Sequence, residues 1–429
     1  MQTRWRVRLL PLAATPLILG GCTLPEQFSS QADPDAVTLW YWNRSIEPEL
    51  FRQYERDHPG VKINDQIISG DYGSKLRTTL AGNTYIPDIV AFNDDIATYF
   101  RAEDQFVDLN EYGAADVQSE YLGWKWQAGM TAAGKLMGFP MDTGPTGMLY
   151  RSDLFEQAGL PSDPAEVAAQ MSTWEDYYAA GQQMREALPG VSMIDSANEV
   201  YTNSLRQSPD YYVTRDDQYI GDGGAVRHSW DLAVQSAQLG VVAGINSSTS
   251  DWNAALSTGS LASVINGVWI KATVADATPG TSGLWRVAPT PGGAGNRGGS
   301  FLGITAASPK KDLAFDIIRT VQSPQGQVMG YKELSLYPAA TSSLADPAVN
   351  QPEAFFGGQN TNEVFSKVSQ AVPNFYFSPA DNVINPIFTD EMTNVAILGK
   401  DPEQAWKDAQ SQVRREVEHK MPWVKLGDA

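Results

Sequence analysis

The chain has 429 residues, of which 42% are hydrophobic and 19% charged, and its formal net charge is −19. This length is sufficient for two lobes with one core each, and the composition excludes a wholly disordered chain. No run of basic residues is present to neutralise a phosphate backbone, so a nucleic-acid partner is not expected.

The N-terminus is typical of an exported lipoprotein. Three arginines precede an apolar segment that is too short to span a membrane, and the segment ends in Leu-Gly-Gly-Cys at Cys22. This ending resembles a lipobox, which implies that residues 1–21 are a signal peptide and that Cys22 carries acyl chains such as palmitate. A chance cysteine after an ordinary signal peptide is the alternative. Cys22 is the only cysteine, so an internal disulfide is excluded.

The next segment predicts a tether. Residues 22–36 are polar and contain prolines, which favours a flexible connection without a core. No later segment reaches the roughly 18 apolar residues of a spanning helix. We therefore expect a soluble body that is held by a lipid anchor at the extracytoplasmic face of the cell membrane.

Strand and helix patterns alternate at the start of the body. The hydrophobic periodicity predicts strands at 37–41, 61–67 and 88–92, and helices at 48–58, 72–81 and 96–101. This alternation favours a parallel sheet, in which ligands bind outside the carboxyl ends of the strands. The loops 42–44, 69–72 and 93–95 should therefore lie together on one rim.

The rim loops supply the first candidate binding residues. They are Trp42, Asn43, Asn93 and Asp94. The neighbouring Asp95 is equally well explained as the N-cap of the following helix.

The rest of the chain is richer in helical patterns. Thr173 is predicted to cap a helix over 173–184, and the Gly-rich stretch 288–300 is expected to cross between parts of the fold and not to belong to a core. The last helix should begin after Asp401, with Pro402 in its first turn and Gln404 in the reciprocal capping position.

Motifs for enzymatic chemistry are largely missing from the sequence. A G-x-G-x-x-G match at 293–298 follows prolines and precedes an apolar strand-like run, so the helix N-terminus that a dinucleotide needs is not predicted. None of the three histidines lies beside an obvious nucleophile, and an acidic cluster at 216–222 lacks the spacing of a calcium loop. We expect no catalytic residue, no metal site and no cofactor.

Aromatic rings beside polar side chains suit sugars, which present an apolar face and a rim of hydroxyls. The chain has 12 tryptophans, and those at 42, 252 and 269 have Asn, Asp or Arg close by in the sequence. Four other tryptophans are assigned to core packing, or their role is left open: Trp124, Trp126, Trp230 and Trp285.

Three segments of the sequence carry a resemblance to a known family of proteins: 138–161, 173–176 and 264–269. Their order, from Gly-Phe-Pro-Met-Asp through Leu-Tyr-Arg-Ser-Asp-Leu-Phe to Ile-Asn-Gly-Val-Trp, resembles the family 1 extracellular solute-binding proteins of ABC sugar importers, the maltose-binding-protein-like family. The resemblance implies a periplasmic-binding-protein-like α/β fold of two lobes with a hinge and an interlobe ligand cleft. Expected lobes are 37–142 with 286–340, and 143–285 with 341–429.

The resemblance adds three candidate residues and the partners. Asp142, Trp269 and Tyr376 join the four rim residues: the tryptophans would stack on sugar faces, Asp142 would pair with hydroxyls like the rim residues, and Tyr376 would close one end. The implied partners are a neutral mono- or oligosaccharide and permease subunits with a cytoplasmic ATPase, and we expect a monomer. The pair Asn43-Arg44 and the Gly-rich stretch 292–299 depart from the family pattern and leave the sugar open.

Two other functions stay open at this point. An exported glycoside hydrolase would use two of Asp71, Asp94, Asp95 and Asp142 as its carboxylate pair. A binding lobe that only signals to a sensor has the same sequence features as a transport component.

Overall fold

The computed structural model describes residues 35–427; Cys22, the predicted signal peptide and most of the predicted tether lie outside the described residues. The strands are β1 (Val37–Tyr41), β2 (Ile63–Ile67), β3 (Ile89–Phe92), β4 (Phe139–Pro140), β5 (Asp142–Thr143), β6 (Thr146–Arg151), β7 (Ser263–Gly267), β8 (Trp285–Ala288), β9 (Phe301–Ile304) and β10 (Tyr337–Pro338).

The helices pack around these strands. The α-helices are α1 (Pro48–Asp57), α2 (Tyr72–Gly82), α3 (Gly123–Ala128), α4 (Ser152–Gln157), α5 (Pro164–Gln170), α6 (Trp174–Ala187), α7 (Ala197–Leu205), α8 (Gly224–Gln238), α9 (Ser250–Thr258), α10 (Ile270–Ala277), α11 (Lys311–Val321), α12 (Pro324–Leu334), α13 (Asn362–Ala371), α14 (Asp381–Ala396) and α15 (Pro402–Lys420). Short 3-10 helices span Ile96–Gln105, Leu109–Tyr112, Ala114–Glu120, Pro279–Thr281, Ser343–Ala345 and Ala354–Phe356.

The first lobe contains a five-stranded sheet in the order β2-β1-β3-β9-β4. The first three strands in sequence are parallel, as predicted, whereas β9 and β4 run antiparallel to their neighbours. Side chains of β3 alternate between two cores: Ile89 and Ala91 pack on one face, and Val90 and Phe92 on the other. Both faces are covered, which explains why β3 is apolar throughout.

The second lobe is built on a three-stranded sheet in the order β7-β6-β8. Its core is the larger one and buries Trp230, Trp252 and Trp285 completely. Strand β8 pairs with β6 in this sheet, from Met148 opposite Ala288 to Arg151 opposite Trp285. The expected return to the first lobe at residue 286 is therefore too early, because the chain stays in the second lobe through β8.

The lobes are connected by three segments that touch one another, namely those that contain β5, β10 and the Gly-rich stretch. Strand β5 pairs with β10, and the Gly144 amide donates to the Asn296 side chain at 2.8 Å. At Gly299, where φ is +95°, an added Cβ would lie 2.7 Å from the Asp142 carbonyl oxygen. The crossing predicted for the Gly-rich stretch is confirmed, and its last glycines allow close approach of the backbones.

Two predicted helix starts illustrate how local sequence determines the elements. Thr173 caps α6 in a reciprocal capping box with Asp176. The Asp401 side chain caps α15 by accepting from the Gln404 amide. The reciprocal bond, in which the Gln404 side chain would accept from the Asp401 amide, is not made, and the Gln404 side chain instead donates to Asp408 at 2.8 Å.

Candidate functional site

The carboxyl ends of the first three strands meet at one rim, as the sequence predicts. Trp42 follows β1 and is half-buried, and its ring lies edge-on to Tyr72 with centroids 5.3 Å apart. The Tyr72 hydroxyl donates to the carbonyls of Trp40 and Ala91, at 3.1 and 2.8 Å, and so ties the ends of β1 and β3 together. Trp42 and Asn93 line one cavity together with residues of the loop after β2, namely Gly70, Asp71 and Tyr72.

Asn43 lies at the exposed tip of its loop, next to Arg44, whose φ is +64°. It does not line the cavity that contains Trp42. Of the four rim residues predicted, Trp42, Asn93 and Asp94 therefore line cavities, whereas Asn43 is exposed and lines none of them.

Asp94 connects the two lobes. Its carboxylate lies 3.7 Å from the guanidinium of Arg206, the residue that ends α7 in the second lobe. Asp95 occupies the cap position of the 3-10 helix Ile96–Gln105 but makes no capping bond, so the helix-cap explanation is wrong for its side chain. Burial, assisted by the charge of Asp94, raises the pKa of Asp95.

A cavity between the lobes opens behind this ion pair. Its walls come from Asp94 and Asp95 in the first lobe and from Arg206, Tyr211 and Asp381 in the second. Asp95 also lines the rim cavity of Trp42, and Asp94 lines a further cavity that reaches Gly298. The two aspartates are thus shared walls of one interlobe cleft.

Trp269 lies at the Gly298 end of the cleft. It is 44% exposed, and its Nε1 donates to the Arg297 carbonyl at 3.1 Å. An added Cβ on Gly298 would come within 3.4 Å of the same indole nitrogen. The Arg297 guanidinium is paired with Glu199 of α7. Neither Trp42 nor Trp269 is sealed in a core, but Trp42 lines the rim cavity, whereas Trp269 lines neither that cavity nor the two that contain Asp94.

Asp142 lies within the connecting segments. Its Oδ1 accepts from the Ser300 amide at 2.7 Å, and it lies outside the cavities lined by Trp42 and Asp94. Its neighbour Lys125 is only 1% exposed, and burial lowers the pKa of this lysine to about 7 against the opposing effect of Asp142 and Asp94. Burial likewise raises the pKa of Asp142. These contacts place Asp142 where the connecting segments cross, and its expected contact with hydroxyls stays a prediction.

Tyr376 bridges the lobes at the edge of the cleft. Its half-buried ring packs against the first-lobe core and lies under the Arg215 guanidinium, 4.5 Å from the ring centroid. Burial raises its pKa to about 12. This position is compatible with the predicted closing of one end of the cleft.

Within residues 35–427, no group of three His, Cys, Asp or Glu side chains is arranged to hold a metal ion. In the same residues no helix has the length and apolar character needed to traverse a bilayer.

The model of the bacterial extracellular solute-binding protein family matches residues 42–328 of this chain. The chain belongs to this family. Its fold is that of the family: one solved structure of an extracellular solute-binding protein of family 1 is 29% identical, with a TM-score of 0.86 over 89% of this chain and 99% of that one.

Two further relatives of this solute-binding protein carry sugar names. The lactose-binding protein of Rhizobium radiobacter is 28% identical over 85% of this chain and 87% of its own length. An ABC-transporter-associated binding protein from B. animalis subsp. lactis, solved with β-1,6-galactobiose, shares the fold at 19% identity and a TM-score of 0.72, over 92% of this chain and 100% of that one.

The second-lobe wall of this solute-binding protein was missed from the sequence. Arg206, Tyr211 and Asp381 face Asp94 and Asp95, yet no motif or strand end indicates them. A charged side chain directly after a helix, as Arg206 is after α7, is the only local signal, and it is common at helix ends.

Proposed function

We propose that this protein binds a neutral sugar or oligosaccharide in its interlobe cleft and delivers it to the permease of an ABC importer. The observation that carries the proposal is the cleft itself, in which Trp42, Asn93, Asp94 and Asp95 line cavities that continue to Arg206 and Gly298, with the exposed ring of Trp269 next to Gly298. The names of the lactose-binding relative and of an arabinooligosaccharide-binding protein of Bacillus subtilis, 22% identical over 74% of this chain, support the same ligand class.

The residues that face the cleft suit the chemistry of a sugar. In this proposal Trp42 and Trp269 stack on the apolar faces of sugar rings, Asn93 and Asp94 exchange hydrogen bonds with hydroxyls, and Tyr376 closes one end. Asn43 would contribute only to a ligand that extends beyond the rim. Asp142 would pair with a hydroxyl in addition to accepting from the Ser300 amide.

Charge within the cleft favours a ligand without net charge. The guanidinium of Arg206 is paired with Asp94, and that of Arg297 with Glu199. The chain as a whole is strongly acidic, with a net charge of −19. An anionic sugar would therefore have to displace existing ion pairs in a negative field, at a cost in affinity.

The finer parts of the proposal concern location and partners. Acyl chains on Cys22 would hold the protein at the extracytoplasmic face of the membrane, where closure of the two lobes around the sugar presents a ligand-loaded form to the permease subunits. Incorporation of radiolabelled palmitate into the wild-type protein but not into Cys22→Ser tests the anchor. Label in both proteins, or in neither, would contradict it.

Ligand binding is tested on the full chain in a detergent without a sugar headgroup. Thermal unfolding is followed with lactose, melibiose, β-1,6-galactobiose and arabinobiose, and each hit is titrated calorimetrically. A bound sugar at 100 times its dissociation constant stabilises the fold by about 2.7 kcal/mol. Absence of any shift or heat with neutral sugars would overturn the proposal.

Two controls accompany the titration. Trp42→Ala should lose binding, whereas Tyr85→Ala, which removes a ring that is 90% exposed outside the cleft, should retain it. Chromatography of the recovered sugar distinguishes binding from hydrolysis, because release of reducing ends would support a glycoside hydrolase instead.

A further inference from the structure

The cavity behind Asp94 contains polar atoms that lack a partner. In the described part of the chain, Arg206 Nη1, the Tyr211 hydroxyl and Asp381 Oδ1 are buried and make no hydrogen bond of good geometry, although the Tyr211 hydroxyl lies close enough to the Arg206 guanidinium for that group to oppose the rise of the Tyr211 pKa on burial. Tyr211 is 4% exposed and Asp381 7%, so bulk water does not satisfy them. An unsatisfied buried polar group costs about 1–3 kcal/mol. Three of them in one cavity indicate a place that is built to receive a polar guest.

The contacts around Arg206 hold its guanidinium in place. One nitrogen faces the Asp94 carboxylate at 3.7 Å, and the planar group lies 4.3 Å over the Phe377 ring and 5.6 Å over the Tyr211 ring. Phe377 in turn packs against Tyr211, with ring centroids 4.5 Å apart. Because the guanidinium faces Asp94 and packs beside two aromatic rings that contact each other, its Nη1 is positioned before any ligand arrives.

The Asp381 carboxyl is fixed in a similar way. Its Oδ2 accepts from the Ser378 amide at 2.9 Å at the start of α14, so that the other oxygen remains without a partner. Burial raises the pKa of Asp381 to about 8. At neutral pH this carboxyl therefore carries a proton and can donate as well as accept.

We propose that this cavity, lined by Asp94, Arg206, Tyr211 and Asp381, binds a vicinal diol of an uncharged sugar ring. The proposal rests on the proposed sugar-binding function and names the part of the ligand that this side of the cleft contacts. Each hydroxyl of a diol both donates and accepts, so two adjacent hydroxyls can accept from the guanidinium and pair with the tyrosine and the carboxyl. The three unsatisfied atoms then all gain partners.

The charges of the cavity argue against a carboxylated or phosphorylated ring. Arg206 is the one cationic side chain among the described residues that line it, and Asp94 already faces that charge. Asp95 adds a further carboxyl group, and the protonated Asp381 brings no positive charge. An anionic group would therefore meet Asp94 with no unpaired cation to balance it.

The rim cavity of Trp42 is next to this one, because Asp95 lines both. A sugar ring against Trp42 would therefore place the next ring of a disaccharide near Arg206. This neighbourhood favours a ligand of at least two rings over a monosaccharide.

The test removes one hydroxyl from the protein and one from the ligand. Tyr211→Phe deletes only the unpartnered hydroxyl, and Tyr85→Phe makes the same change on the exposed surface as a control. With whichever of lactose, melibiose, β-1,6-galactobiose or arabinobiose binds the wild type, Tyr211→Phe should weaken affinity about tenfold, while Tyr85→Phe leaves it unchanged. The melting temperature of unliganded Tyr211→Phe should stay the same or rise, since an unsatisfied buried group is removed.

Monodeoxy analogues of the same sugar complete the cycle. Loss of one hydroxyl of the critical pair should weaken binding to the wild type but have little further effect on Tyr211→Phe, and this non-additivity identifies direct contact. Unchanged affinity of Tyr211→Phe, or fully additive losses for every deoxy position, would overturn the diol site and leave the sugar-binding proposal intact. Failure of all neutral sugars to bind the wild type would instead overturn both.

Tighter binding of sialyllactose than of lactose gives a separate outcome. It would show that the cavity accepts an anionic group and would contradict the inference about charge. Preference for lactose over sialyllactose in the wild type, reduced in Tyr211→Phe, is the expected result.

Discussion

The carboxylate of Asp94 and the guanidinium of Arg206 face each other across the cleft at 3.7 Å, one from each lobe. Both side chains are about a quarter exposed, at 27% and 24%. A pair this long and this accessible contributes roughly 0–1 kcal/mol to folding. Its position matters more than its strength, since it joins a side chain of one lobe to a side chain of the other.

Replacement of Asp94 should separate binding from stability. We expect Asp94→Asn to change the free energy of unfolding by less than about 1 kcal/mol, because the pair is partly exposed. Sugar affinity should fall about tenfold, since the amide is a weaker acceptor for hydroxyls and for Arg206. Urea unfolding and calorimetric titration measure the two quantities. An equal loss of stability and affinity would contradict this division.

The rim was predictable because strand ends obey a topological rule. Trp42, Asn93 and Asp94 follow β1 and β3, and parallel neighbouring strands place such residues side by side whatever the rest of the fold does. Arg206 follows a helix in the other lobe, so its encounter with Asp94 depends on how the two lobes close. No local periodicity encodes that relationship.

Other contacts between distant segments were equally hidden. The motif from which Asp142 was predicted as a binding residue gives no sign that its carboxylate accepts from the Ser300 amide where two connecting segments cross. The boundary at residue 286 failed because an apolar four-residue strand fits either sheet equally well by composition. Pairing of β8 with β6 is decided by long-range contacts that the sequence pattern does not contain.

Lys125 should make stability depend on pH in the neutral to alkaline range. Burial lowers its pKa to about 7 in the folded chain, whereas an unfolded lysine keeps its proton up to about pH 10. The unfolded state thus binds more protons between these values, and the free energy of unfolding should rise with pH through this window. Lys125→Met should flatten the rise. Urea unfolding between pH 6 and 9 tests it; parallel curves for the two proteins would contradict the buried-charge interpretation.

Asp381 should change the free energy of unfolding with pH in the direction opposite to that of Lys125. Its pKa is raised to about 8 by burial, and an unfolded aspartate releases its proton near pH 4. The folded state holds the extra proton between these values, so this residue makes the free energy of unfolding fall as pH rises from about 4 to 8. Asp381→Asn keeps an oxygen for the Ser378 amide and should be more stable than the wild type at pH 8. A wild-type chain that is equally or more stable there would be evidence against a neutral carboxyl.

Gly144 should tolerate no side chain. An added Cβ would overlap the Arg297 carbonyl oxygen, which is backbone and cannot rotate away. We expect Gly144→Ala to lower the free energy of unfolding by more than about 2 kcal/mol, because the connecting segments must separate. Gly82→Ala is the matched control, since nothing lies within 4 Å of a Cβ there. Similar stabilities for the two variants would show that the connection is looser than its geometry indicates.

Trp269 distinguishes a binding platform from a core residue. The ring is 44% exposed and makes one hydrogen bond, from Nε1 to the Arg297 carbonyl. Its removal should therefore cost the unliganded fold only about 1 kcal/mol. If the free face stacks on a sugar, Trp269→Ala should weaken binding at least tenfold, or about 1.4 kcal/mol. Thermal unfolding with and without the bound sugar measures both effects, with Tyr85→Ala as the control for loss of an exposed ring. A large drop in the unliganded melting temperature would instead mean that the indole supports the crossing segment at Arg297, and the second lobe would then need another surface to hold the ligand.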